Sequence, residues 1–273
     1  MSTEGSHKNS FLERIGMNYG LLADTAMLAG EIMLQAGAET YRVEDTVRRI
    51  LKTSGAERAE VLVFSTALMI TIDAPSGPAV SKVMRISARG TNLGNICEVN
   101  GLSRKLCAGE IALGEMYEEL KKLEKRKEYP PAVVYLCTLI TVIMFSLLLG
   151  ASAKDAVFAG MSAIVMVLFR AFFMKHGMNE FMYHVTALTC ATFLVSVVQA
   201  ISNAGINLEL VVAGTAMPLL PGVAITNAIR DTLQGDYISG AARIVEAFVR
   251  AVSCAVGIGA GLYLGHLVSG GVL

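Results

Sequence analysis

The chain has 273 residues, 53% of them hydrophobic and 17% charged, with 23 basic and 23 acidic side chains and no Trp. A soluble domain carries about a quarter charged residues, yet 34 of the 46 charges fall in residues 1–130, so the average joins a soluble half to a half too apolar for water. This excludes a single water-soluble enzyme of the whole length and a disordered chain, and zero net charge gives no basic surplus for nucleic acid.

The first twenty residues, MSTEGSHKNSFLERIGMNYG, lack the apolar run of a signal peptide, which places the amino-terminal half in a reducing cytoplasm as an expectation. Leu21, Leu28 and Ile32 predict a helix over 17–36, stopped at Gly37. A second helix is predicted over Thr40–Thr53, with Val43, Val47, Ile50 and Leu51 on one face. The period then shortens, and Ala59–Phe64, Ala67–Asp73 and Val80–Ser87 read as strands, with a turn over Asp73–Pro78. Leu93–Leu106 and Glu110–Glu128 return to helix, and Tyr129-Pro130-Pro131 makes a stiff break. Residues 1–130 thus read as a small α+β domain.

Few groups in this half point to chemistry. Its one histidine is His7, so a Ser-His-Asp or Cys-His site has no base, and there is no Walker-type loop for ATP. Cys97, Cys107, Cys137, Cys190 and Cys254 form no C-x-x-C pair or spaced Cys/His set, so no metal and no cofactor is expected. Glu39, Glu44, Asp45 and Asp73 leave carboxylate hydrolysis open beside the plainer reading of solvated helix faces and a turn.

Residues 131–273 supply five stretches of about 20 apolar residues, the length of a membrane span: Ala132–Gly150, Ala156–Met174, Tyr183–Ile201, Leu208–Ile229 and Ile244–Val268. Lys121, Lys122, Lys125, Arg126 and Lys127 precede the first, Arg170 and Lys175 flank the second loop, and Arg230 with Arg243 occupy the fourth. Alternate loops are basic, which orients the amino terminus inside and the carboxyl terminus outside. Gly257, Gly259, Gly261 and Gly265 suit close helix packing in lipid.

The fourth span is interrupted by Met217-Pro218-Leu219-Leu220-Pro221-Gly222. Each proline removes a backbone donor and Gly222 adds freedom. Backbone left unpaired at membrane depth is tolerated only against protein or water, so a double break marks a transport site; a proline kink packed by neighbouring helices is the alternative. Pro221 is expected in the first turn of a half-helix, Val223–Asp231, whose positive end faces the break and suits a carboxylate. Pro218, Pro221, Gly222, Thr226 and Asn227 are the candidate substrate residues.

Charged residues follow: Arg230, Asp231, Asp236, Arg243, Glu246 and Arg250. Asp231, Asp236 and Glu246 are candidates for proton coupling, with His184 at the start of the third span. Arg243 and Arg250 read equally as gating residues or as an ion-pair cluster that anchors the fold.

Gly37-Ala-Glu-Thr-Tyr-Arg-Val-Glu-Asp-Thr46, Pro221-Gly-Val-Ala-Ile-Thr-Asn-Ala-Ile-Arg-Asp231 and Gly235-Asp-Tyr-Ile-Ser-Gly-Ala-Ala-Arg243, with Glu246-Ala247, resemble the amino-terminal component of the threonine/serine exporter family. The likeness runs from about residue 16 to 268. It implies export of a small carboxylate (threonine, serine or, in split two-gene systems, a dicarboxylate such as succinate). It also makes Gly37, Glu39, Thr40, Arg42 and Glu44 a family mark without an assigned role. The full-length form carries a second membrane module, so the resemblance implies a separate small membrane subunit as partner. An odd number of spans would let a homologous module insert in the opposite sense.

The expectation is therefore a five-span helical membrane protein of the inner membrane with a cytoplasmic α+β domain. It would be one subunit of a proton-coupled secondary exporter, with room for homo-oligomers and no enzymatic role. A membrane-anchored hydrolase, or a sensor that signals through the cytoplasmic domain, stands as the alternative.

Overall fold

The computed structural model describes residues 18–56, 58–73, 78–87, 90–126, 129–177, 179–202 and 205–269. In chain order it holds α1 (Tyr19–Gln35), α2 (Thr40–Lys52), β1 (Arg58–Phe64), β2 (Ala67–Asp73), β3 (Val80–Arg85), α3 (Leu93–Cys107), α4 (Leu113–Glu124), α5 (Pro131–Leu148), α6 (Ala153–His176), α7 (Glu180–Ser202), α8 (Leu208–Ala216), a 3-10 turn (Met217–Leu219), α9 (Gly222–Leu233) and α10 (Tyr237–Val268). Contacts divide the chain into two compact units. One comprises Met1–Lys127 with Val223–Ile244, the other Glu128–Gly222 with Val245–Leu273. The segment Val223–Ile244 lies within the stretch that the sequence reading treats as membrane domain. His7 and most of the turn expected over Asp73–Pro78 lie outside the described residues.

In the first unit the elements follow the sequence periods closely. Asn18 accepts the Leu21 N–H at 3.0 Å and starts α1. Gly37 ends it with φ +83°, and a Cβ there would stand 2.6 Å from the Gly90 carbonyl oxygen. Only glycine fits both the left-handed backbone and that approach. Val43, Val47, Ile50 and Leu51 of α2 are fully buried, as the spacing predicts. The strands form one antiparallel sheet in the order β1-β2-β3, with Phe64 opposite Ala67 across a two-residue turn. Alternation sends Val61, Val63, Leu68, Ile70 and Ile72 into the core beside α1 and α2, where each buried side chain contributes about 1.5–3 kcal/mol. β3 ends two residues earlier than the pattern suggests, because its partner β2 begins at Ala67, opposite Arg85; one more bond in the same register, from the Ile86 N–H to the Thr66 carbonyl at 2.8 Å, lies at the turn. The last helix of the domain begins at Leu113 rather than Glu110 and buries Met116, Leu120 and Leu123.

The second unit is built from apolar helices. Among the described residues four helices are long and apolar enough to cross a membrane, five if the pair on either side of residues 220–221 counts as one span. Pro130 and Pro131 open α5 at positions where a missing N–H costs nothing. Leu136, Ile140, Met144 and Leu147 of α5 point outward and stay exposed, as lipid-facing side chains do. Ser152 and Asp155 form a capping box at the head of α6, and the Asp155 carboxylate also accepts the Asn207 N–H at 2.8 Å. One buried acid therefore fixes both the start of α6 and the approach to α8. Helices α7 and α10 meet at Gly257 and Gly261, where a Cβ would lie 2.8 Å from the Val185 carbonyl and 2.7 Å from the Thr189 carbonyl. Gly259 faces open space, so the packing stripe is narrower than the run of glycines. The last helix begins at Tyr237, about two turns before the expected Ile244, because the hairpin after α9 directs the chain straight back into helix.

Candidate functional site

The turn Gly37–Thr40 between α1 and α2 leaves two carbonyls and a helix-start N–H without local partners. Glu39 occupies the cap position of α2 but makes no side-chain cap bond. All of these groups are satisfied from α9 and the first turns of α10. Asn227 Nδ2 donates to the Gly37 oxygen at 2.9 Å. Arg243 Nη2 donates to the Ala38 oxygen at 2.7 Å. The Thr40 N–H donates to Asp231 Oδ1 at 3.1 Å, so the carboxylate caps α2 in the place of its own N-cap residue. Glu39 takes Arg230 on Oε1 at 2.6 Å and Arg42 on Oε2 at 3.2 Å.

Asn227, Arg230 and Asp231 project together because they are spaced i, i+3, i+4 along α9. Asp231 is fully buried, and its Oδ2 lies 2.9 Å from Arg243 Nε. Those two atoms meet as opposite charges and not as an aligned hydrogen bond. A buried pair of this kind persists only when hydrogen bonds satisfy its remaining atoms, which the turn's backbone does here. At the hairpin between α9 and α10, Gly240 packs on Thr232 and on the Ala228 carbonyl, 3.1 Å from where a Cβ would be. The Ser239 hydroxyl accepts the Ser65 N–H at 3.2 Å at the tip of the β1–β2 turn.

Two carboxyls beside this clasp are displaced in opposite directions. Burial, then the nearby Asp231 and Glu44 charges, push Asp236 above the ordinary aspartate range against a smaller pull from the Thr40 hydroxyl. At Glu39, burial pushes upward but is outweighed by a hydrogen bond from its own backbone and by Arg230 and Arg42, so the group lies below its ordinary value. Glu44 is turned aside to pair with Arg48.

The break is present between α8 and α9. Pro218 sits in the 3-10 turn, Leu220 is extended (φ −67°, ψ 136°), and α9 begins at Gly222. Pro221 precedes the half-helix instead of occupying its first turn, because the extended residue before a proline ends the turn there. Pro221 is buried, while Pro218, Gly222 and Thr226 are exposed. Asn227 and Asp231, read from the sequence as a substrate amide and a proton carrier, spend their polar atoms on the Gly37–Thr40 turn.

The remaining candidates lie in the second unit. Arg250 pairs with Glu180 at 3.0 Å and with Glu246 at 3.1 Å. His184 is buried, with Nδ1 3.3 Å from the Ser253 hydroxyl, which itself donates to the Arg250 carbonyl at 2.6 Å. Arg243, Glu246 and Arg250 share a helix face, yet Arg243 serves the clasp while the other two pair with each other. Sequence reasoning passed over Asp155, Ser65 and Ser239; the Ser152-x-x-Asp155 pattern was the available signal for the first. Among the described residues no group of three His, Cys, Asp or Glu side chains is placed to hold a metal.

A family model described as "Putative threonine/serine exporter" matches residues 24–265. The chain is 22% identical over 237 residues to a "Probable threonine/serine exporter" of Mycobacterium tuberculosis, covering 86% of this chain and 44% of the relative. It is 20% identical over 248 residues to the "Threonine/serine exporter" of Corynebacterium glutamicum, covering 88% and 50%. A "Probable succinate transporter subunit YjjP" of Klebsiella aerogenes is 23% identical over 231 residues, covering 83% and 87%. The chain thus spans about half the length of the two exporters. No solved structure matches.

Proposed function

The chain belongs to the threonine/serine exporter family, whose members are membrane transporters and not enzymes, and from that premise we propose that it is one subunit of a secondary exporter for small carboxylates. The observation that carries the reading is the double interruption at Met217–Gly222 in an otherwise apolar span. The positive end of α9 suits the negative group of an amino or dicarboxylic acid, with Pro218, Pro221, Gly222 and Thr226 as the candidate substrate residues.

The rest of the reading follows from charge and length. Alternating basic loops support an inner-membrane protein with the α+β domain in the cytoplasm and the carboxyl terminus outside. The twofold length of the two exporters and the near-equal length of the succinate transporter subunit support a second membrane module as partner. Asp236, half-buried at the α9–α10 turn, is the carboxyl we propose for proton coupling, with the His184, Glu246 and Arg250 network as a second station.

The test is efflux of threonine, serine and succinate from cells that lack their own exporters. Export that requires both this chain and the second module supports the reading. Unchanged intracellular levels of all three acids, with both proteins in the membrane, would remove it. Cysteine labelling of residues beyond Val268 reports the orientation; labelling from the cytoplasmic side would reverse the topology.

A further inference from the structure

A polar cavity of about 340 Å³ lies in the first unit between α2 and α3. Tyr41, Arg42, Asp45, Thr46 and Arg49 line one wall, and Asn100, Ser103 and Arg104 the other. The spacing explains the wall: Tyr41, Asp45 and Arg49 recur every four residues on the face of α2 opposite to Val43, Val47 and Ile50. Three guanidinium groups face one carboxylate there. Asp45 is already held by Arg49 at 2.9 Å, and among the described residues Arg104 has no ion pair.

The floor is polar and rigid. Thr46 and Ser103 are each 3% exposed. The Thr46 hydroxyl donates to Asn100 Oδ1 at 3.0 Å, which fixes the amide and leaves its NH2 group to be bonded. A small pocket with fixed neutral donors at its base and surplus guanidinium at its rim matches a compact oxyanion. Guanidinium forks take carboxylate and phosphate in the same bidentate way.

We propose that this pocket is a binding site for a small dianion carrying carboxylate or phosphate groups, held by Arg49 and Arg104 over Asn100 and Ser103. Arg42 links it to the clasp. Its Nε lies 3.2 Å from Glu39 Oε2, while Glu39 Oε1 holds Arg230 of α9. An anion that draws Arg42 into the pocket competes with Glu39, so occupancy is felt at α9. The site is independent of the transport reading, since it lies in the α+β part and its test measures binding alone.

The experiment is titration calorimetry of the full chain in detergent, with succinate and inorganic phosphate as separate probes up to about 10 mM, a range that reaches millimolar dissociation constants. Saturable heat with at least one probe is expected, falling about tenfold or more in affinity in Arg104→Gln and rising in Asp45→Asn, which removes the pocket's own carboxylate. Binding of phosphate alone identifies a phosphorylated ligand, of succinate alone a dicarboxylate, and of both a general dianion site. Circular dichroism of each variant checks the fold, and Ser103→Phe, which fills the floor, serves if Arg104→Gln does not fold. Heat from neither probe, or heat unchanged by Arg104→Gln and Ser103→Phe, overturns the proposal.

Discussion

The carboxylate of Asp231 accepts the backbone N–H of Thr40, 191 positions away in the chain, and so closes the open end of α2. With Arg243 on its other oxygen, Asp231 is an internal fastener of the first unit. Asp231→Ala would leave a guanidinium only 7% exposed without its counter-charge and the Thr40 N–H without an acceptor. The expected loss is about 3–5 kcal/mol, read as a lower thermal midpoint in detergent. Asp231→Asn keeps the acceptor and should cost less. The double variant Asp231→Ala, Arg243→Met should recover part of the loss, since an apolar pair carries no uncompensated charge. Equal melting of Asp231→Ala and the parent would deny the fastener.

The two displaced carboxyls predict how stability varies with pH. Asp236 is raised in the folded state, so its stabilising contribution is complete below the ordinary aspartate range and is lost as pH rises through its folded value. Glu39 is lowered, so its contribution is present above the ordinary glutamate range and is lost as pH falls through its folded value. Asp236→Asn should therefore raise the midpoint at neutral pH while leaving the acid limb intact, and Glu39→Gln should lower the midpoint at neutral pH and so flatten the acid limb. Melting curves of both variants between about pH 3 and pH 8 separate the two effects. An Asp236→Asn variant that melts lower than the parent at pH 7 would count against a carboxylate held there at a cost.

Much of this architecture is legible in the residues. The stripe Val43, Val47, Ile50, Leu51 fixes α2 to within a residue, and the alternation in Ala67–Asp73 fixes β2 outright. Met217–Gly222 announces its break through two prolines, a local cause acting locally. Asn227, Asp231 and Arg243 are different, because a buried polar residue in an apolar helix has the same sequence signature whether it meets a substrate or a backbone carbonyl. Their partners are the Gly37, Ala38 and Thr40 backbone atoms, which no side-chain pattern reports. A hint was available: Gly37–Thr46 and Pro221–Arg243 are both long polar motifs, and Arg243 already read equally as an anchor. The α2–α3 cavity escaped because its residues divide between two helices that look solvated when taken singly.

In the second unit the α7–α10 contact depends on two glycines. At Gly257 an added methyl would sit 2.9 Å from Leu188 Cβ, and at Gly261 it would sit 2.7 Å from Thr192 Cβ. Neither neighbour can swing away, since both are Cβ atoms on a packed helix. Gly257→Ala and Gly261→Ala should each lower stability by about 1–3 kcal/mol through overpacking. Gly259→Ala, which meets open space, should be neutral or slightly stabilising because alanine favours helix. Chemical denaturation of the three variants in one detergent gives the ranking. A Gly259→Ala variant as damaged as the other two would mean that the close approach at residues 257 and 261 does not set the response.

The break between α8 and α9 makes the most direct functional prediction. Leu220 is extended because Pro221 follows it, and Gly222 turns its N–H back to the Leu220 carbonyl at 2.9 Å. Pro221→Ala restores a donor and lifts the restriction on Leu220, which lets helix grow across the gap and removes the positive helix end that the break exposes. Export should then fall about tenfold or more, equivalent to about 1.4 kcal/mol in the limiting barrier, while the protein still reaches the membrane. Pro218→Ala lies inside the 3-10 turn and should reduce export less, since one interruption remains. Pro130→Ala at the start of α5 serves as the control, for there a proline replaces a donor that would be unpaired anyway. Flux is measured as efflux of preloaded labelled threonine and succinate, with surface-accessible protein quantified in parallel. Full export by the double variant Pro218→Ala, Pro221→Ala at equal protein level would show that the interruption is a packing kink, and the carboxylate path would have to run elsewhere in the membrane helices.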